Sequence, residues 1–282
     1  MIQFTAENHE YKSIVPDGID WLSATSVVGW FKGHFDAHAQ SFKSSKNKNS
    51  KWYRIDPAEI RQAWTNEAKR ATDLGTWYHN QRENDLCAID SIGYNGFELP
   101  IFKPVEENGI KYAPSQRLVQ GCYPELMLYL KSMGVCGQSD KVMVYNNTVD
   151  ISDYKTNKEI KESSYVNWEG ISAKMKAPLQ HLDDCNLNHY ALQLSLYLYI
   201  IIKHNPGLRP GKLMLQHVQF EEQGRDKYDY PVSKLDKDGN PIIKDIIYYP
   251  LPYLKDEVVV MLNYAKTHRE EIRAYKELKE AA

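Results

Sequence analysis

Residues Gly137 to Lys155 read GQSDKVMVYNNTVDISDYK. Two residues of turn type, Asn146 and Asn147, separate two segments rich in β-formers, so the stretch predicts a β-hairpin. Pairing the strands about that turn sets Tyr145 against Thr148, Val144 against Val149, Val142 against Ile151 and Asp140 against Asp153. Side chains alternate along a strand. Asp140, Val142 and Val144 are therefore expected on one face with Val149, Ile151, Asp153 and Lys155. The opposite face, with Lys141, Met143, Tyr145, Asp150, Ser152 and Tyr154, reads as the more polar one. Directly opposed β-carbons lie roughly 4.5–5.5 Å apart, where like charges destabilise a sheet. A divalent metal ion between the two carboxylates, with Lys155 as a second cation, would offset that repulsion.

Working outward, Arg117 to Leu130 predicts a long strand before the hairpin, with a bulge near Pro124. After it, residues 156–185 form a polar excursion with little periodicity. Asn186 to His204 predicts a strong helix stopped by Asn205, Pro206 and Gly207. Lys212 to Phe220 and Ile246 to Tyr249 read as later strands, and residues 253–280 as a charged C-terminal helix. Upstream, Asp56 is a helix N-cap, Pro57 takes the first helical position and Glu59 completes a capping box. That helix is expected to run to about Asp85. Ile60, Trp64, Ala68, Ala71, Gly75 and His79 share a stripe at helical spacing. Gly75 in the helix interior costs about 1 kcal/mol relative to Ala, which a close approach to another backbone would explain. His79, one turn on, faces the same neighbour.

Residues 88–114, rich in Gly, Pro and Asn, read as a variable connection. Residues 41–55, SFKSSKNKNSKWYRI, carry Lys43, Lys46, Lys48, Lys51 and Arg54 and no acid. They read as a mobile basic loop, either a solvated surface loop or one that contacts phosphates. Residues 1–22 suggest a short strand and turn, after which Ser23 caps a helix over Ala24 to Phe31.

With 282 residues, 42% apolar and 26% charged, the chain has the composition of a globular protein with a dense core. It has no clean domain boundary, and one domain is expected. That domain would have a helical N-terminal part over about 1–115, a core over about 116–220, and a C-terminal strand and helix over about 221–282. The net charge of −2 gives no global basic field, so a nucleic-acid partner would have to meet a local basic groove. The longest apolar run, near Leu192 to Ile202, is too short for a membrane span. With no signal-like N-terminus, a cytoplasmic protein without a membrane partner is the expectation. Cys87, Cys122, Cys136 and Cys185 contain no C-x-x-C pair, so reduced structural thiols are expected rather than a zinc site or iron–sulfur cluster.

Four motifs now fall in order: G-T-W-Y-H (Gly75 to His79), G-Q-S-D (Gly137 to Asp140), D-Y-K (Asp153 to Lys155) and Q-L-S-L-Y (Gln193 to Tyr197). Together they resemble the PD-(D/E)XK nuclease superfamily, in particular its RecB-type exonuclease branch, and are similar to the mitochondrial genome maintenance exonucleases. The resemblance runs from about Ser23 to Tyr199 and includes an N-terminal S-x-T segment, Ser23 to Thr25. It implies an α/β fold of restriction-endonuclease type, a central mixed sheet flanked by helices, with helical N- and C-terminal additions. It implies metal ligation by His79, Asp140 and Asp153, with Glu125 as a looser further candidate, and a catalytic lysine at Lys155. Gln193 and Tyr197 would border the site and the DNA end. Ser139 stands where the superfamily's proline is usual.

The implied activity is Mg²⁺- or Mn²⁺-dependent hydrolysis of DNA phosphodiesters without an iron–sulfur cluster. It would act as an exonuclease on single strands or DNA ends in replication, recombination or repair, in a cell or in a virus. DNA contacts would come from Lys43, Lys46, Lys48, Lys51, Arg54, Gln193 and Tyr197. Two alternatives stay open: a structure-specific or nicking endonuclease, and a non-catalytic DNA-binding or assembly module.

Overall fold

A computed structural model describes residues 2–5 and 10–280, and the side chains of all these but 276–280. Strands β1 (Ile2–Thr5), β2 (Glu10–Ser13) and β3 (Leu22–Ser23) come first. Helices α1 (Ala24–Trp30), α2 (Ala37–Lys46) and α3 (Pro57–Cys87) follow. Two hairpins come next, β4 (Ser91–Tyr94) with β5 (Phe97–Pro100) and β6 (Val105–Glu107) with β7 (Ile110–Tyr112). Then come β8 (Gly121–Leu130), β9 (Val135–Tyr145), β10 (Thr148–Lys155) and α4 (Asn186–His204). The chain closes with β11 (Arg209–Phe220), β12 (Glu222–Arg225), β13 (Pro231–Ser233), β14 (Ile243–Leu251), α5 (Lys255–Thr267) and α6 (Arg269–Glu280).

The fold is α/β. Its central mixed sheet runs β14-β11-β10-β9, with β8 and β3 also on β9. The β10–β11 and β3–β9 pairs are parallel, and the rest are antiparallel. α4 is apolar on nearly all sides, as a helix buried between layers must be. It lies in the main core with α1, α5, Val142, Val144, Val149 and Ile151. Three smaller cores cover the opposite face: the β1–β7 sheet over Met127 and Cys136, the β4–β5 hairpin over Cys122 and Met143, and Tyr78 of α3 over Tyr154 and Val218.

The β9–β10 hairpin has the expected register, from Thr148 against Tyr145 to Ser152 against Lys141, and its backbone ladder stops one pair short of Asp153 and Asp140. Asn146 and Asn147 have φ of 44° and 57°, which suits a tight two-residue hairpin turn. β8 pairs with β9 in one unbroken register, again with one pair missing, Glu125 with Asp140. No residue is inserted, so the bulge expected near Pro124 is absent. In its place Glu125 has a left-handed backbone, φ 46°.

That kink shifts the phase of the pleat. Before it on β9, Val135 faces the α4 core and Cys136 the other side. After it, Val142 and Val144 face α4 and Met143 the other side. β8 shifts at the same row, from Tyr123 to Leu126 and Leu128 on the α4 side. The shift corrects the expected face sharing: Asp140 leaves the Val142 face and meets α3. The second face of the hairpin is also not solvated. Asp150 is buried there and accepts from Tyr94 Oη at 2.7 Å, Tyr145 Oη at 3.1 Å and the Lys212 amide at 2.7 Å.

Several other expectations change. Residues 41–46 of the expected basic loop 41–55 belong to helix α2, which Asp36 caps by accepting from the Ala39 amide. Residues 88–114 hold two hairpins that turn at Asn95-Gly96 and Asn108-Gly109, all four residues with positive φ. Asp56 caps α3 as expected, but Glu59 makes no capping box and accepts from Tyr228 Oη at 2.6 Å instead. Ala68 and Ala71 of the α3 stripe are exposed. The C-terminal helix is broken at His268. Among the described residues the N-terminal part carries seven short strands as well as helices, and the central sheet draws β3 and β14 from outside 116–220.

Candidate metal centre

The site sits where β9 and β10 part. One edge of β9 pairs with β10 over Lys141–Tyr145 and with β3 at Val135 and Cys136, which leaves residues 137–140 beside a fork. Extending both registers aligns Glu125, Asp140 and Asp153 in one transverse row over three strands. Three carboxylates in such a row repel, and each is held differently.

Asp140 is buried, and its Oδ2 accepts the Tyr154 backbone N–H at 2.7 Å. Glu125 is held by Gln138, whose Nε2 donates to Oε2 at 2.6 Å. Asp153 is buried and ion-paired with Lys155 Nζ. His79 enters from α3. Its Nε2 lies 3.1 Å from the Tyr154 carbonyl oxygen, which can only accept, so Nε2 carries the proton. Nδ1 then points at the carboxylates, 3.5 Å from Asp140 Oδ2 and 3.8 Å from Glu125 Oε1.

With a neutral imidazole, three acceptors converge on one point. Donor atoms of His79, Glu125 and Asp140 all lie within 4.8 Å of one another. Oxygen or nitrogen ligands of one ion at about 2.0–2.2 Å lie roughly 3–4 Å apart. The donor set therefore fits a divalent ion, and the carbonyl that fixes the imidazole tautomer is the partner such a ligand usually has. Without an ion a proton takes the place. Burial opposes charge on His79, but Asp140 and then Glu125 outweigh it and push its pKa up to about 9. Burial, then the Asp153 charge, pushes the Asp140 carboxyl up.

Asp153 lies outside this triad of donors. Val149 and Ile151 set its face toward α4, and Tyr190 of α4 lies 5.1 Å from Lys155 Nζ. Burial opposes the charge on Lys155, but Asp153 and then Asp140 outweigh it and raise its pKa. Lys155 also donates to the Tyr154 carbonyl at 3.3 Å. Together with His79, Gly75 and Thr156 it lines a cavity of about 280 Å³. The neighbour that Gly75 accommodates is the Thr156 side chain, where a β-carbon would come within 3.2 Å of Oγ1.

Gln193 donates to Tyr197 Oη at 3.0 Å. Tyr197 is 2% exposed and packs on Gly137, so it supports Gln193 rather than meeting a ligand. Ser23 caps α1 and bonds Thr25. The basic segment is elsewhere, near the start of α3, about 33 Å along that helix from His79. Lys43 and Lys46 are on α2, with Lys46 Nζ 4.0 Å from the Phe42 ring. Lys48 is exposed in the following turn, and Arg54 stacks on Tyr53. Lys51 donates to the Tyr228 carbonyl at 2.6 Å and sits over Tyr230.

Gln138 and Tyr154 had no role in the sequence reading. Gln138 was visible as the Q of G-Q-S-D. The part of Tyr154 is played by its backbone, which no residue type signals.

No protein-family model, no curated protein and no solved structure matches this chain. No disulfide joins the four cysteines, and among the described residues no helix is long and apolar enough to cross a membrane.

Proposed function

We propose that the chain is a metal-dependent deoxyribonuclease of the PD-(D/E)XK type, acting on single-stranded DNA or DNA ends. The observation that carries this reading is the convergence of His79 Nδ1, Glu125 and Asp140 beside the Asp153–Lys155 pair. A nitrogen with two carboxylate oxygens suits Mg²⁺ or Mn²⁺. Such an ion, when bound, supplies a Lewis acid for a phosphoryl oxygen and lowers the pKa of water.

The chain's own groups do the rest. Tyr154 fixes Asp140 through its N–H and His79 through its carbonyl, so two ligands are aimed before anything binds. Gln138 aims Glu125. Lys155 keeps its proton and faces the cavity, where it can stabilise charge growing on a phosphate. Asp153 holds that ammonium in place.

The test is hydrolysis of end-labelled linear and covalently closed circular DNA with Mg²⁺ or Mn²⁺. Degradation of linear strands alone, abolished by EDTA and by Asp140→Asn, supports an exonuclease. Cleavage of circles makes it an endonuclease. Activity that survives both EDTA and Asp140→Asn rejects a metal nuclease.

A further inference from the structure

The exposed face of α3 continues away from His79 as one wall of a groove. Of the residues that line it, His79, Gly75, Ala71 and Glu67 wind slowly round the helix and lead to the buried Ala63, a span of about 24 Å at the helical rise. The cavity at Lys155 shares Ala71, Thr156 and Asn157 with a second, of about 200 Å³, whose far wall is Val218, Phe220 and Ser233. The second shares Glu67 and Arg70 with a third, of about 320 Å³, at Asp226, Lys227 and Tyr228. The third ends where Lys51 of the basic segment bonds the Tyr228 carbonyl. Three concavities thus join end to end, from the metal residues to the basic segment.

We propose that this groove is the track for one strand of nucleic acid leading to the metal centre, a proposal that rests on the nuclease reading above. Two features fit a single strand. Each compartment is at or below the small end of ligand-sized clefts, so bases enter singly. The middle compartment offers Leu74 and the half-buried ring of Phe220, itself packed on Trp77 at 6.1 Å, as an apolar surface for bases. Charge fits as well. Arg70 is occupied by Glu67 and Asp226, but the exposed Lys158 and Lys244 on the groove wall form no ion pair among the described residues. These two lysines are free to meet phosphates. The exposed Ala71 now has a reason: a larger side chain there would narrow the groove.

The experiment is fluorescence anisotropy of the full chain with labelled oligothymidylate in EDTA, across a salt series. Binding by Lys158→Ala/Lys244→Ala should weaken, and the slope of log K against log salt should fall by about 1.4, two phosphate contacts at about 0.7 each. Ala71→Phe, which obstructs the groove and removes no charge, should weaken binding without changing the slope. Neutralising Lys203 and Lys255, outside the groove, should change neither. If the groove variants bind with wild-type affinity and slope, the track is wrong, whatever the enzyme cleaves. If wild-type protein binds through the groove yet cleaves nothing with Mn²⁺, the nuclease reading fails and the binding track stands.

Discussion

Asp140 and His79 are organised by one residue between them, Tyr154. Its backbone N–H donates to Asp140 Oδ2 at 2.7 Å and its carbonyl meets His79 Nε2 at 3.1 Å. The N–H is free for this because the β9–β10 ladder has already ended at Lys141 and Ser152. The break in the sheet therefore holds the ligands in position.

Removing a ligand should remove the ion. Asp140→Asn, Glu125→Gln and His79→Ala should each lower Mn²⁺ affinity at least about tenfold, with the fold intact by circular dichroism. Titration calorimetry reads this directly. Wild-type affinity in Glu125→Gln would take Glu125 out of the centre.

Gln138 touches Glu125 and not the cavity, so it acts through that carboxylate. Groups that orient metal ligands typically alter affinity about 10–100-fold. Gln138→Leu should fall in that range, and Gln138→Glu, which sets two carboxylates together, should be worse. An unchanged Mn²⁺ isotherm for Gln138→Leu would make Gln138 structural only.

Metal and proton compete at His79. Its pKa, pushed up to about 9, lies above the usual value near 6.5. The charged ring therefore stabilises the metal-free protein fully below about pH 6.5, and that contribution is lost as pH rises through about 9. Mn²⁺ affinity should rise over the same window, because the ion displaces the proton. Calorimetry at neutral pH in two buffers of unlike ionisation enthalpy should show about one proton released per ion. No release would contradict a protonated His79 in the metal-free protein.

Asp150 provides the contrast within the same hairpin. Its three donors, Tyr94, Tyr145 and the Lys212 amide, are structural. Asp150→Ala should cost about 3 kcal/mol by stranding buried donors, a fall of roughly 6–12 °C in melting temperature for a chain of this size. Mn²⁺ affinity should not change. A loss of affinity at unchanged melting temperature would reverse the assignment.

The hairpin was legible in sequence because its signals are local: a two-residue Asn turn and β-rich flanks whose period allows one register. α4 was legible for a similar reason, since its apolar run, the following Asn205 and Pro206-Gly207 all agree. The facing of Asp140 was not. It depends on a left-handed backbone at Glu125, a conformation that a glutamate does not announce. α2 was missed because its only large apolar residue, Phe42, is exposed, so no periodicity marks it, although Asp36 before it is a fair cap. The Asn-Gly turns at 95–96 and 108–109 were readable signals, obscured by short flanking strands without clean alternation. His79 and Asp140 were paired by motif order, whereas Asp153 was expected beside them and instead holds Lys155 across the fork.

The most direct measurement is anomalous diffraction from crystals soaked in Mn²⁺. One peak should lie about 2.0–2.2 Å from His79 Nδ1 and from an oxygen each of Glu125 and Asp140. A peak coordinated by Asp153 without His79, or no peak at the fork at saturating Mn²⁺, would contradict the metal centre described.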